Sequence, residues 1–364
     1  MADRMVVVAI PVKNEEARIE ACLASLARQS LPPDRILLLL NNCSDRTGEI
    51  ARAASAQDHR ICITDVELSG PLANAGEARR LALAAAMDLA GPDGVILTTD
   101  ADCQFEPQWI ARNLREIAHG ADVVCGIAKV ESEAAHSISG GLHFDLAREA
   151  MYAAVLDEIA ALVDPDPADP WPRHQQHSGA SIAMTSAILR AAGGAPQVPV
   201  GEDRALIERF RLIDARIRHA PDIEVSVSGR LEGRAKGGMA EALNRRARRL
   251  DEATDAALEP AVDAYRRVLA RARLRNIVQN SRAAALLAQD LLIPPSAMAA
   301  ALQAGTFGRT WAMVQQQSPV LQRRRVKFVN LARETRQAME LRDQAALECA
   351  ASGVQDGGNL HAGS

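Results

Sequence analysis

Through its first half the chain alternates short runs rich in Val, Ile and Leu with stretches whose apolar residues recur at helical spacing. That alternation admits few folds other than βαβ units around a mostly parallel sheet. Met5 to Pro11 (MVVVAIP) and Arg35 to Leu40 (RILLLL) read as buried strands, Arg60 to Val66 as a third, and VILTTD from Val95 and DVVCGIAKV from Asp122 as later ones. Between them the spacing predicts a helix over Asn14 to Gln29, with Asn14 as its N-cap and Glu15 and Glu16 in its first turn, where the helix dipole favours acids. A second, Ala-rich helix runs from Ala75 to Leu89, and a third from His143 to Val163. DPDPADPWPRH from Asp164 is too proline-rich for either regular structure. Short extended pieces are expected at Ser178 to Met184 and Arg218 to Ser228, with a helix over Asp203 to Phe210 between them.

After Gly237-Gly238 the pattern turns almost wholly helical, and the charge changes with it. From Met239 onward 18 basic residues face 12 acidic ones, although the whole 364-residue chain carries a net charge of -4. The expected organisation is therefore an α/β domain over 1–238, a helical region over 239–348 and a disordered tail over 349–364. The basic stretches RRARRLDEA and QRRRVKFVNLARE are read as amphipathic helices packed on the α/β domain or on a second subunit, which would make a homodimer; peripheral contact with an acidic lipid surface is the alternative. With only 3% aromatic residues and a negative net charge, the chain lacks stacking platforms and a basic footprint for nucleic acid. Six scattered cysteines with no CxxC pair, and a first strand beginning within a few residues of Met1, point to a cytoplasmic protein with no transmembrane segment.

Three of the apolar runs end in polar clusters: PVKNEE, NNCSD and TTDAD. In an open α/β sheet these fall at the carboxyl edge, where ligands gather. Asp100 and Asp102 stand two apart, so both side chains of an extended segment point the same way and their charges repel. A hard divalent cation, Mg²⁺ or Mn²⁺, which keeps open positions for phosphate oxygens, is the natural neutraliser. The plainer alternative is that Asp102 caps a helix in FEPQWIARNL. No GxGxxG follows a strand, which disfavours a dinucleotide dehydrogenase, and PVKNEE lacks the glycine-rich phosphate loop of a sugar nucleotidyltransferase.

In order and spacing, MVVVAIPVKNEEARIEACLASLARQS, LLLLNNCSDRTGEIA, ILTTDADCQFEPQWI, SGASIAM and VGEDRALIERF resemble glycosyltransferase family 2, of the GT-A fold. The resemblance covers roughly Val6 to Gly238. It implies a Rossmann-like α/β sandwich with a mostly parallel central sheet, here followed by a C-terminal helical extension, and an inverting, metal-assisted transfer from a nucleotide-diphosphate sugar to an acceptor hydroxyl. Position by position it implies nucleotide-sugar binding by Pro11, Asn14 and Glu15 (or Glu16), Asn42, Asp45, Arg79, and Asp100, Ala101 and Asp102. Asp102 is the better metal ligand of the pair. Asn42 stands where the family more often has Asp, which weakens any inference about the base. Gly179, Ala180 and Ser181, with Glu202, are expected at the acceptor pocket, and Asp203 as the catalytic base. Arg230 and Arg234 would clamp the diphosphate. His174 and His177 are read as solvated loop residues, with contact to acceptor or phosphate as the alternative. The chain has neither a QxxRW element nor membrane helices, so one sugar per encounter is expected. A non-catalytic nucleotide-sugar-binding or scaffold protein on the same fold is the competing reading.

Overall fold

The computed structural model describes residues 4–131, 140–229, 254–277 and 280–357. In chain order the first elements are β1 (Val6–Val12), α1 (Ile19–Ala27), β2 (Arg35–Asn41), α2 (Thr47–Gln57), β3 (Ile61–Val66), α3 (Ala75–Ala90), β4 (Val95–Thr98), β5 (Gln104–Phe105), α4 (Trp109–Ala118) and β6 (Val123–Val130). Then come α5 (Gly140–Val163), β7 (Ile182–Thr185), α6 (Ser186–Ala191), α7 (Glu202–Leu212) and β8 (Ile217–Val227). The remaining helices are α8 (Ala261–Arg275), α9 (Ser281–Asp290), α10 (Pro295–Leu302), α11 (Phe307–Gln317) and α12 (Leu331–Gly357). The protein is thus an α/β fold with a C-terminal helical region. No helix among the described residues is long and apolar enough to cross a membrane.

Two compact units form, one within residues 1–139 and 176–248, the other within 140–175 and 249–364. The first holds all eight strands in one mixed sheet, ordered β3-β2-β1-β4-β7-β6-β8-β5. β3, β2, β1 and β4 run parallel, as the βαβ alternation requires, whereas β7 is antiparallel to both its neighbours β4 and β6. Alternation along β1 fills both faces: Val6, Val8, Ile10 and Val12 enter a core with residues of α1 and α4, and Val7 and Ala9 enter another with α3 and α7. Each such aliphatic side chain stabilises the fold by roughly 1.5–3 kcal/mol.

The β4–β7 register sets Thr98 beside Ile182, so the start of β7 lies next to the end of β4. Segment 178–181 is thereby delivered to the same sheet edge as residues 99–102.

Several local expectations are corrected. Asn14 does not cap α1: its φ is +53°, the helix starts only at Ile19, and the amides of Arg18 and Ile19 turn onto the Glu15 carbonyl. Asn tolerates the left-handed region better than most residues, and its side chain is drawn to the neighbouring strand end instead. Nor does Asp102 cap the helix after it, since β5 intervenes and α4 begins at Trp109 behind Gln108.

In the second unit α5 packs with the C-terminal helices. Tyr152, Val155 and Ile159 share a core with Leu258, Ala261, Val326, Leu331 and Ala338. This unit is therefore discontinuous in sequence, where the sequence reading drew a single cut at 238, and α12 continues past 348 to Gly357. Apolar spacing shows that α5 has a buried face, not which core receives it. QRRRVKFVNLARE is not one helix either: Gln322 to Lys327 is irregular, Phe328–Asn330 form a 3-10 turn and only Leu331 onward belongs to α12, while its arginines bind within the unit, Arg324 to Asp263, Arg323 to the Ala257 carbonyl and Arg325 to the Thr254 carbonyl. RRARRLDEA lies outside the described residues.

One acid of this unit carries a pH signature. Burial raises the Asp157 carboxyl to about 8, Asp169 adding to the shift and Arg173 opposing it. The folded state then keeps a proton that the unfolded chain releases above about pH 4, so this group's contribution to stability is lost as pH rises from there to about 8. Asp157→Asn is expected to flatten that decline and to raise stability at pH 8 by at least ~1 kcal/mol in chemical denaturation. An unchanged difference between pH 5 and pH 8 would show that Asp157 is ionised in the native protein.

Candidate active site

Arg79 lies on the inner face of α3 and is only 6% exposed. Four of its five N–H groups have partners on three other segments: Nε donates to Glu202 Oε1 at 3.0 Å, Nη1 to Thr98 Oγ1 at 2.8 Å and to the Gly179 carbonyl at 3.0 Å, and Nη2 to Asp100 Oδ1. Burial favours losing the charge, but Asp100 and Glu202 outweigh it and hold the guanidinium more firmly protonated than a free arginine. Its neighbour Arg80, one helical step away, turns outward and pairs with Glu77.

Gly179 is glycine because of this cation. A Cβ there would stand 2.7 Å from the Arg79 guanidinium carbon. The glycine admits the protein's own arginine, a different close approach from the ligand contact expected of it. On its other side its amide donates to Asp203 Oδ2 at 3.1 Å, while Asp203 Oδ1 accepts from the Arg204 amide at 2.7 Å. Burial, and then the adjacent Glu202, raise the Asp203 carboxyl above its ordinary value; the Arg204 amide, Arg79 and the Gly179 amide pull back more weakly. A half-buried acid with a raised pKa suits a proton acceptor.

Asp100 and Asp102 follow β4 with Ala101 buried between them. Among the described residues, Asp100, Asp102 and Cys103 are the group whose ligand atoms, all within 4.8 Å of one another, could hold a metal ion. The two half-exposed carboxylates suit a hard divalent cation. Cys103 is fully buried, and burial, then Asp100 and Asp102, push its thiol well above the ordinary range, which keeps it a neutral core residue. Beneath the pair, the Cys22 thiol of α1 donates to the Asp100 carbonyl at 3.8 Å.

The ends of β1 and β2 form a second cluster, and here the expected nucleotide residues hold one another. Asn14 Oδ1 accepts from the Ser44 amide at 2.8 Å. Asp45 accepts from the Thr47 amide at 3.0 Å and the Glu16 amide at 3.3 Å, and Glu16 accepts from the Arg46 amide at 3.0 Å. Burial opposes ionisation of Asp45, but the Thr47 hydroxyl and these amides outweigh it and lower its pKa. The buried Glu15 donates its amide to Thr47 Oγ1 at 2.7 Å. Asn42, at φ +50°, spans to Leu68, accepting from its amide at 2.9 Å and donating to its carbonyl at 3.2 Å. Pro11 lies in β1 opposite Leu39.

Ala180 and Ser181 are buried behind the edge. The Ser181 hydroxyl accepts from Trp109 Nε1 at 3.0 Å, beneath Gly126, which makes it a core contact. Arg230 and Arg234 lie outside the described residues. Sequence reasoning missed one polar constellation. His177 Nε2 sits 3.1 Å from His219 Nε2 and 3.0 Å from Arg211 Nη2, with His219 buried on β8. His177 lies 34 residues before Arg211 and 42 before His219, and no local pattern foretells that meeting.

Residues 7–160 match the sequence model of glycosyl transferase family 2. No curated protein matches the chain significantly. Its structure is similar to a mannosyltransferase from Pyrobaculum calidifontis in complex with GDP-Man and Mn²⁺, at 17% identity, covering 85% of each chain with a TM-score of 0.45. It is also similar to residues 1–349 of S. aureus TarS in complex with UDP-GlcNAc, at 15% identity, covering 96% of this chain and 92% of that one with a TM-score of 0.45. A third is the glucosyl-3-phosphoglycerate synthase of Mycobacterium tuberculosis with Mn²⁺, UDP-glucose and phosphoglyceric acid, at 18% identity, covering 74% and 80% with a TM-score of 0.41.

Because the Gly179 Cα–H direction is filled by a guanidinium held through four hydrogen bonds, Gly179→Ala is expected to destabilise the protein by roughly 1–3 kcal/mol in urea denaturation. A cost below ~0.5 kcal/mol would mean that Arg79 can move away freely.

Proposed function

We propose that the chain transfers a sugar from a nucleoside-diphosphate sugar to an acceptor hydroxyl with inversion, one sugar per encounter, assisted by Mg²⁺ or Mn²⁺. The observation that carries this is the convergence, through Arg79 and Gly179, of a strand-end carboxylate pair with a half-buried acid of raised pKa, Asp203. In this reading Asp102, beside an Asp100 steadied by Arg79, would hold the ion. The ion's contribution is to neutralise negative charge on the departing diphosphate.

The chain's own residues supply the rest. Asp203 takes the proton from the acceptor hydroxyl as that oxygen forms its bond to the anomeric carbon, and the bond from that carbon to the diphosphate oxygen breaks on the opposite face. Asn14, Asn42 and Asp45, at the ends of β1 and β2, are proposed to border the nucleoside, their loops already fixed by the bonds described above. Arg230 and Arg234 are proposed to receive the charge leaving with the diphosphate. The nucleotide base, the sugar and the acceptor follow from pocket walls that differ between members of one fold.

A thermal-shift panel of UDP, GDP and dTDP with and without Mn²⁺ tests this reading. One diphosphate is expected to stabilise the protein only when metal is present, by ~2.7 kcal/mol at a hundredfold excess over its Kd, and Asp102→Ala should abolish the effect. Stabilisation by none of the three, or equally without metal, contradicts it. Asp203→Asn should keep nucleotide binding and reduce transfer by ~10²–10⁴-fold. Since the base works only when ionised, wild-type kcat/KM should fall as pH drops through the raised Asp203 pKa, above the ordinary aspartate range; a flat profile there, or full turnover by Asp203→Asn, removes the base from the scheme.

A further inference from the structure

We infer that Arg79 is a positioning residue, which joins the carboxylate at the end of β4 to the first turn of α7 and so sets where the acceptor-side base stands relative to the donor-side acids. The inference rests on the reading of Asp203 as base, and it departs from the sequence expectation that Arg79 touches the nucleotide sugar.

Its grounds are geometric. A guanidinium has five N–H groups, and four of those on Arg79 are directed to Thr98, Asp100, Gly179 and Glu202. The residue is 94% removed from solvent, leaving no exposed fork with which to grip a ligand bidentately. Its partners lie at the two places where the proposed chemistry must be kept in register. Thr98 and Asp100 belong to β4 and its end. Gly179 belongs to the segment entering β7, and Glu202 opens α7.

Gly179 passes the constraint on. Its carbonyl accepts from Arg79 while its amide donates to Asp203 Oδ2, so the peptide segment on which Asp203 leans is itself held by the arginine. Glu202 adds a second path, being bound to Arg79 at 3.0 Å and adjacent in sequence to Asp203. Two routes from one buried cation to one carboxylate over-determine its position. A lysine, with a single rotatable ammonium group, cannot serve acceptors spread around a planar fork.

The experiment separates donor binding from turnover in the full-length protein. Arg79→Lys is expected to bind the stabilising nucleoside diphosphate with Mn²⁺ within about threefold of wild type, while kcat at saturating donor falls by at least ~100-fold, the scale of loss from misplacing a reacting group by about an ångström. Glu202→Ala, which releases one of the two routes and disturbs the core less, should lower kcat in the same direction with nucleotide affinity and acceptor KM little changed. It also serves if Arg79→Lys does not fold. In the double variant the losses should be less than multiplicative, because both act through one position. A large loss of nucleotide affinity with kcat preserved would make Arg79 a donor-binding residue and overturn the inference, as would wild-type kcat in Glu202→Ala or a raised acceptor KM alone. Asp203→Asn in the same assays distinguishes the failures: if it turns over normally the base reading falls, whereas if it is inactive and the other variants are not, only the positioning role does.

Discussion

A single buried cation organises the sheet edge. Placing a guanidinium where only 6% of it meets water costs several kcal/mol in lost hydration unless charge and hydrogen bonds replace it. Here Asp100 and Glu202 supply the charge, and Thr98 and the Gly179 carbonyl supply neutral acceptors. The same contacts that make the burial tolerable draw β4, the entry to β7 and the start of α7 to one point. Breaking any of them would leave a buried charge short of partners, which is why the arrangement is stiff.

The sheet topology makes this meeting feasible. In a purely parallel sheet the strand beside β4 would start at the far edge, and its leading segment could not reach the carboxyl end. Because β7 runs antiparallel, with Ile182 opposite Thr98, residues 178–181 arrive next to Asp100 at no cost in extra loop. The ends of β1 and β2 are fixed by a different device. Asn14, Asp45, Glu16 and Asn42 knit their loops together by side chain to backbone bonds, so that the residues proposed to border the nucleoside are held in place by the protein itself.

Much of the first unit was legible in the sequence because its signals are periodic. The strands over Val6–Val12, Arg35–Asn41 and Ile61–Val66 and the helix over Ala75–Ala90 fall within a residue or two of the apolar runs that announced them. The acids after β4 and at the start of α7 were legible too, from motif and position. What lay beyond reach depends on three-dimensional partners. Arg79 and Arg80 are the same residue type in sequence, yet a 100° helical step buries one and leaves the other half-buried. Ser181 sits in a segment that runs to the site, but strand alternation turns its hydroxyl onto Trp109. The antiparallel sense of β7 and the membership of α5 in the second core are long-range pairings that no local pattern encodes.

The central claim is that the carboxylates closing β4, braced by Arg79, are a metal site serving a nucleoside diphosphate. Anomalous diffraction at the manganese edge, on crystals grown with Mn²⁺ and whichever nucleoside diphosphate binds, tests it most directly. A peak within coordination distance of an Asp102 oxygen, bridging to the diphosphate while Asp203 still leans on Gly179, is the predicted result. A diphosphate bound away from Asp102, or a peak at some other cluster of acids, would contradict it.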